Sequence, residues 1–358
     1  MNRHFLQWAI ALSTFVPGQA PAQTASFEWA RLLTGYGNRD FVWTAALDAE
    51  GDLLASFMRR DAPAASYWAS HLLMKIETQS GEVVWTNDKL PSRRTGLAVA
   101  QDGSVYVAGS LAYLNDSDGA SLGGPQGYFA NRGITTAGTG GAYLAKLSPF
   151  DGTIQSILHF GSSLYVMPIH LRIAPDGDLR VAGIYMHASA QFGETSLPAP
   201  ATATAKNFFL SRISPAGEIR WAEAMANAHP TLGLTTGMAV DASGNVVFGG
   251  WSPGDFSMQG QALKADNGFA IKLSPQGEVI WTKERIGYNT AEHTFHIDGQ
   301  DNIYFPGTPD GLQKYSPAGD LLWSRPRIGS LFVEQQGRAL PERLPARNEL
   351  FHCQHCRA

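Results

Sequence analysis

Cysteine is nearly absent from this 358-residue chain: only Cys353 and Cys356 occur, both within the last six residues. A fold held together by disulfides is therefore excluded for the rest of it. Charge is sparse, at 16% of residues with a formal net charge of −4, which excludes a general electrostatic nucleic-acid binder. No apolar run after residue 22 approaches the ~20 residues that a membrane-spanning helix requires. No stretch of useful length carries the 3.6-residue period of an amphipathic helix. The nucleophile elbow G-x-S-x-G, the zinc motif H-E-x-x-H and the phosphate loop are all missing. The tail His352-Cys353-Gln354-His355-Cys356-Arg357 does not meet the haem-attachment pattern, because Arg357 stands where a histidine is needed. It lacks the βαβ context of a thioredoxin site. A local disulfide, an adventitious metal site or the accident of a truncated reading frame remain, and no dedicated chemistry is expected there.

What is abundant is glycine, 38 residues, and it falls in a periodic pattern. The chain first opens on Arg3 and His4, an apolar run over residues 5–16, and Ala20-Pro21-Ala22. These are the parts of a secretory signal with a small-x-small cleavage site, predicted over residues 1–22. Beyond it one two-part pattern recurs five times. One part reads Ala239-Val240-Asp241-Ala242-Ser243-Gly244-Asn245-Val246, a D-x-x-G-[ND] turn between apolar strands. The other reads Phe269-Ala270-Ile271-Lys272-Leu273-Ser274-Pro275-Gln276-Gly277-Glu278-Val279-Ile280-Trp281. Here Phe269, Ile271 and Leu273 alternate with Ala270 and Lys272, the two-residue period of a strand, and Ser-Pro-x-Gly fits a type I turn. Two hairpins in series make a four-stranded antiparallel unit that cannot bury both faces alone. Stacking units around an axis buries them, so the fold predicted is an all-β propeller, in preference to a β-sandwich or parallel β-helix.

Five complete repeats span residues 42–85, 97–156, 169–221, 237–281 and 293–323. The second lacks the tryptophan and carries an extra Asp151; the fifth replaces the usual turn by Asp298-Gly299-Gln300-Asp301-Asn302. A sixth blade shared by the termini is expected from Phe27-Glu28-Trp29-Ala30, which matches a last strand, and from residues 331–338, which resemble a first hairpin. The predicted organisation is signal peptide 1–22, propeller domain 23–340 and a disordered tail 341–358.

The pattern A-x-K-L-S-P-x-G-E-x-x-W followed by A-x-D-x-x-G-N-V resembles the SBBP repeat of exported bacterial β-propellers. The segment Lys75-Ile76-Glu77-Thr78-Gln79-Ser80-Gly81-Glu82-Val83-Val84-Trp85 is also similar, more distantly, to the repeat of pyrroloquinoline-quinone (PQQ) dehydrogenases. The likeness covers about residues 27–338. It implies an exported propeller, secreted, extracellular or periplasmic, and leaves the activity open, because propellers host many functions.

Both tight-turn types lie within hairpins and so share one face, whereas every long insertion falls on the other: residues 58–70, 110–141, 184–207 and 251–268. Variable loops gathered on one rim of a rigid scaffold are the expected binding surface. The candidate ligand-binding residues are Arg59, Arg60, Trp68, Arg93, Arg94, Tyr128, Arg132 and Trp251, among loops that also carry Tyr67, Tyr113, Phe129, Phe192 and Phe256. Aromatics with Arg, Asn and Asp suit a glycan or peptide, and equally suit packing of loops on blades. Arg93-Arg94 and Arg325-x-Arg327 offer an anionic ligand a charge pair. Asn115-Asp116-Ser117-Asp118-Gly119 offers closely spaced oxygens and a glycine turn, reminiscent of a calcium loop at Asp116 and Asp118, but lacks the downstream bidentate glutamate, and a plain Asx-rich loop is the favoured reading. No other metal and no cofactor is expected; His293 and His296, three apart on a strand, face opposite sides.

The function expected is therefore a monomeric binding or scaffold module whose partner is a glycan, peptide or cell-surface protein. The alternatives are a quinoprotein-like oxidoreductase and a carbohydrate-active lyase or hydrolase in the axial pocket. The first would need, by that resemblance, an axial Glu, Asn and Asp metal site and a vicinal disulfide, and no adjacent cysteines occur. The second has Asp61, Asp116, Glu194 and Asp255 available, with no pair singled out.

Overall fold

The computed structural model describes residues 41–59, 70–90, 95–111, 141–161, 165–202, 205–227, 234–252, 254–263, 268–284, 295–308 and 311–325. Among these residues every regular element is a strand. The first sheet runs β1 (Phe41–Leu47), β2 (Leu53–Arg59), β3 (Ser70–Ile76), β4 (Val83–Asn87), and the second β5 (Thr95–Val99), β6 (Val105–Ser110), β7 (Ala142–Leu147), β8 (Ile154–Phe160). The third has β9 (Tyr165–Ile173), β10 (Leu179–Met186) and, after a separate two-stranded hairpin β11 (Ala190–Phe192) and β12 (Thr195–Leu197), its outer strands β13 (Lys206–Ile213) and β14 (Ile219–Asn227). The fourth has β15 (Leu234–Val240), β16 (Val246–Trp251) and, after the hairpin β17 (Phe256–Met258) and β18 (Gln261–Leu263), which joins the edge of the third sheet at β14, its outer strands β19 (Phe269–Leu273) and β20 (Val279–Glu284). The fifth is β21 (His296–Ile297), β22 (Ile303–Thr308), β23 (Gly311–Tyr315), β24 (Leu321–Arg325). All neighbouring strands within them pair antiparallel.

These sheets stack as propeller-type blades. Their first strands touch in series, β1 against β5, β5 against β9, β9 against β15 and β15 against β21. Four of the five apolar clusters among the described residues lie between blades; the fifth, Leu53, Ala55, Phe57, Met74 and Ile76, belongs to the first sheet alone. Leu54 and Leu73 of the first sheet meet Val107 and Leu147 of the second. Leu144 of the second meets Leu171 and Val181 of the third. Phe208 and Leu210 of the third meet Phe248 and Ile271 of the fourth, and Val247 and Ala270 of the fourth meet Ile303 and Phe305 of the fifth. Each such side chain, fully buried, adds about 1.5–3 kcal/mol. The segments assigned to the signal, the sixth blade and the tail lie outside the described residues.

The two turns form as the residue pattern requires. Asp241 accepts from the amides of Ser243 (3.0 Å) and Asn245 (2.9 Å), and the Asn245 amide group returns a bond of 2.8 Å. In the fifth blade Asp301 takes the left-handed position, φ 59°, that glycine holds elsewhere, a conformation Asp tolerates through its short polar side chain. The Ser-Pro-x-Gly turn closes with Gly277 N donating to Ser274 O at 2.9 Å. A bulge follows in every outer strand, at Lys75/Ile76, Lys146/Leu147, Arg212/Ile213, Lys272/Leu273 and Lys314/Tyr315. The extra residue rotates the strand so that Trp85, Trp221, Trp281 and Trp323 stand opposite the repeat's cation.

That rotation aims three indoles into the next blade. Trp85 Nε1 donates to Pro149 O (3.0 Å), Trp221 Nε1 to Pro275 O (2.9 Å) and Trp281 Nε1 to Pro317 O (3.2 Å). Two of these carbonyls accept a second bond from the preceding blade's cation: Arg212 Nη1 to Pro275 O and Lys272 Nζ to Pro317 O, both 3.0 Å. Each indole lies against the turn glycine of the following blade, so a Cβ at Gly277 would stand 3.1 Å from Trp221. The repeat's tryptophan, proline and glycine are thus parts of one joint.

The joint can be tested at two glycines with nearly equal backbones, Gly177 (φ 82°) and Gly277 (φ 89°). Nothing lies within 4 Å of a Cβ at Gly177. Gly177→Ala should destabilise by about 1 kcal/mol through backbone strain alone. Gly277→Ala should destabilise by about 2–4 kcal/mol, because Trp221 must also move. Urea midpoints of the two variants measure the difference; equal losses would show that the indole is not held.

Candidate functional site

Two rims differ in construction. At the tight-turn rim, the two turns of the first blade touch: Thr78 Oγ1 donates to Gly51 O (2.9 Å). The cation of the second hairpin closes on the aspartate of the first, as Lys75–Asp48 (2.7 Å), Arg212–Asp178 (2.6 Å), Lys272–Asp241 (2.8 Å) and Lys314–Asp298 (3.2 Å). Lys272 and Asp241 are almost wholly buried, with 4% and 2% of their side chains exposed. Burial works against charge on Lys75, but the hydrogen bond and charge of Asp48, with Asp52 adding to them, hold its pKa above the ordinary value. Burial likewise opposes ionisation of Asp298. Bonds from the Asn302 side chain and backbone, the Gln300 amide and Lys314 outweigh it, so its pKa lies below the ordinary value.

At the other rim two of the expected loops are short hairpins that brace a preceding blade. From the third blade, Gln191 O accepts from Gly161 N at the end of the second (2.7 Å). Phe192 is fully buried, with its ring 5.4 Å from Phe160 and 4.9 Å from Phe209. From the fourth, β17 pairs with β14 through Ala226/Ser257 and Asn227/Phe256. Phe256 is buried 4.3 Å from Phe269. Phe192 and Phe256 are therefore packing residues and not ligand-facing aromatics. Tripeptide strands bury alternate side chains, which sets these phenylalanines toward the core.

Of the candidate ligand-binding residues only Trp251 has a described side chain. It is half-buried at the end of β16, opposite Leu234. Arg59 ends β2 in the backbone pairing. Arg60, Trp68, Arg93, Arg94, Tyr128 and Arg132, with Asp116 and Asp118, lie outside the described residues, as do Asp61 and His293. Glu194 and Asp255 are exposed on the two bracing hairpins. Among the described residues no group of three or more His, Cys, Asp or Glu could hold a metal, and no helix is long and apolar enough to cross a membrane.

A cluster that sequence reasoning missed sits at the axial end of the tight-turn rim. Register aligns one row across each blade: Ala46, Leu54, Lys75, Trp85 in the first and Ala239, Val247, Lys272, Trp281 in the fourth. The leading, axial position is alanine again at Ala98. In the third blade it is Arg172, followed by Arg180 and Arg212, and in the fifth it is His296. Burial pushes the Arg172 guanidinium below its ordinary pKa, although part of the residue stays accessible. Burial first, and the nearby charge of Arg172 second, push the imidazole of His296 down. The signal was available in the sequence as a departure from alanine at one repeat position.

No protein-family model matches this sequence, and no curated protein is significantly similar to it. Similar solved structures include two. One is a catalytically inactive virginiamycin B lyase from Staphylococcus aureus with quinupristin: TM-score 0.38, 10% identity, covering 80% of this chain and 84% of that one. Another is the Dos1 propeller: TM-score 0.40, 9% identity, covering 81% and 70%. Likenesses this remote bring no chemistry to this chain. The blade arrangement rests on its own strand pairing and packing.

The Asp298–Lys314 pair predicts a pH response with a definite sign. The Asp298 contribution is in place above the ordinary carboxylate value of 3.8 and is lost as pH falls through the lower folded value. Lys314, raised above 10.5 by Tyr304 and Asp298 against the opposing effect of burial, contributes below 10.5 and is lost as pH rises through its folded value. Asp298→Asn should lower the melting temperature at pH 7, and the difference from wild type should shrink on acidification toward pH ~3. Calorimetry at both pH values checks this; a constant difference would show that the carboxylate charge is not what matters.

Proposed function

We propose that this chain is an exported binding or scaffold propeller that meets its partner with the insertion rim. The observation that carries the reading is the contrast between the rims. Tight turns tie the blades together at one end, through the Trp–Pro joints and the Asp–cation pairs. The insertions all emerge at the other. The rim of a rigid scaffold that tolerates inserted chain is where recognition is normally built. The half-buried Trp251 stands on that rim, with an apolar body available for stacking.

On this reading the ligand surface combines Trp251 with Arg59, Arg60, Trp68, Arg93, Arg94, Tyr128 and Arg132. The partner is a glycan, peptide or protein at the cell surface, and the protein works as a secreted or periplasmic monomer without a cofactor. Calcium at Asp116 and Asp118 is the less favoured addition. The chain-wide pattern supports the remaining assignments. The SBBP-type repeat fits export, with residues 1–22 as the signal, 23–340 as the propeller and 341–358 as the tail. Trp323 is presented on the outer strand of the fifth blade in the place where Trp281 meets the following turn. That place suits a sixth blade made jointly by residues 27–30 and 331–338.

Glycan and peptide arrays identify the ligand class. Trp68→Ala with Trp251→Ala should then lower affinity about tenfold or more, because stacked aromatics dominate such surfaces. Unchanged melting temperature would assign the loss to binding. Retention of full affinity in the double variant would overturn the choice of rim, and turnover of a bound glycan would favour the carbohydrate-active alternative.

A further inference from the structure

Arg172, Arg180 and Arg212 stand directly opposite one another on β9, β10 and β13, so three guanidiniums share one face of the third blade. The carboxylates near them are engaged at the outer end of the row. Asp178 holds Arg212 at 2.6 Å and lies 3.9 Å from Arg220. Asp176 holds Arg212 at 3.0 Å and reaches Arg180 only at 3.4 Å. Glu218 is taken by Arg220 at 2.6 Å. Four guanidiniums thus face three carboxylates, and the excess lies at the axial end. Arg172 donates Nη1 to Leu171 O at 2.8 Å and forms no ion pair among the described residues.

Arg180 is the sharper observation. Its side chain is completely buried, and Nε and Nη1 have no hydrogen-bond partner among the described residues. Its Nη2 makes two long bonds, to Asp176 at 3.4 Å and to Gly244 O at 3.5 Å. A buried cation with unmade bonds is costly unless an anion completes it. Beside it stands Arg172, which as a residue is only half-buried. Beyond Arg172, across the small Ala239 of the next blade, stands the imidazole of His296 at the equivalent repeat position. Parallel N–H groups of guanidinium match the oxygens of a phosphate, sulfate or carboxylate in a two-point fork.

We propose that Arg172 and Arg180, with His296 across the axial end of the tight-turn rim, bind a small oxyanion. The site lies at the rim opposite the insertions, so its failure leaves the proposed ligand surface untouched. The test titrates the full chain with inorganic phosphate, sulfate or acetate separately, at constant ionic strength set with chloride, by calorimetry and thermal unfolding. Saturable binding of one of them is expected, and the tightest of the three identifies the oxyanion class. Arg172→Gln should weaken that binding about tenfold or more, the loss of one charge-assisted contact. Arg172→Lys, which keeps the charge but not the fork, should weaken it less. No saturable binding of any of the three, or wild-type affinity in Arg172→Gln, overturns the proposal. Should the glutamine variant fail to fold, wild-type affinity in Arg172→Lys overturns it equally.

Discussion

At three of the four described joints the blade stack depends on the carbonyl oxygen of a turn proline, Pro149, Pro275 or Pro317. Apolar packing between sheets supplies most of the stabilisation, but it is non-directional, and two twisted sheets can slide over each other with little loss of contact. Pro275 O and Pro317 O each receive an indole N–H and a cation from the blade before, so the joint is fixed along the strand and across it. A neutral bond of this kind contributes about 1 kcal/mol, and one from a charged donor about 1.5–3 kcal/mol. Proline locks its φ at the value the second position of the turn needs, which stiffens the turn that presents this carbonyl. The bulge in each outer strand is what brings the tryptophan to that carbonyl. Without the extra residue, Ile280 rather than Trp281 would stand opposite Lys272.

The second blade departs from this scheme, and the rest of its joint differs accordingly. Ser156 stands where the others have tryptophan, opposite Lys146. Leu158 then lies against Gly217, 3.8 Å from the position of a Cβ there. The same pair of blades is braced at the opposite rim by the β11 hairpin, through Gly161 and Gln191 and the Phe160–Phe192 contact. An insertion read as a recognition loop thus holds together the joint that lacks an indole.

The strands, their pairing into hairpins and both turn types were legible because each rests on local chemistry: two-residue alternation, Asp at a turn start, Gly at a positive φ. The destination of the insertions was not, because a three-residue strand such as Ala190–Phe192 carries too few side chains to reveal a period. Its pairing with another blade is a tertiary fact. The arginine row was legible in principle. Aligning Ala46, Ala98 and Ala239 with Arg172 and His296 requires the bulges and turns to be placed first, since one residue of slip sends every side chain to the other face.

That row also explains how one scaffold carries two kinds of polar group. In the first and fourth blades, where the leading residue is alanine, the row's cation is neutralised within the blade, Lys75 by Asp48 and Lys272 by Asp241. Where it is Arg172, the turn begins with Ala174 in place of that aspartate, Arg212 is held instead by Asp178 at the end of the turn, and the two guanidiniums inside it exceed what the turn can supply. A turn carboxylate meets the row's cation in the first, third, fourth and fifth blades, and the substitution at the axial position changes charge while the strand pairing stays the same. The interior of the stack is uniform because packing demands it; its axial end is free to differ, and in the third and fifth blades it does.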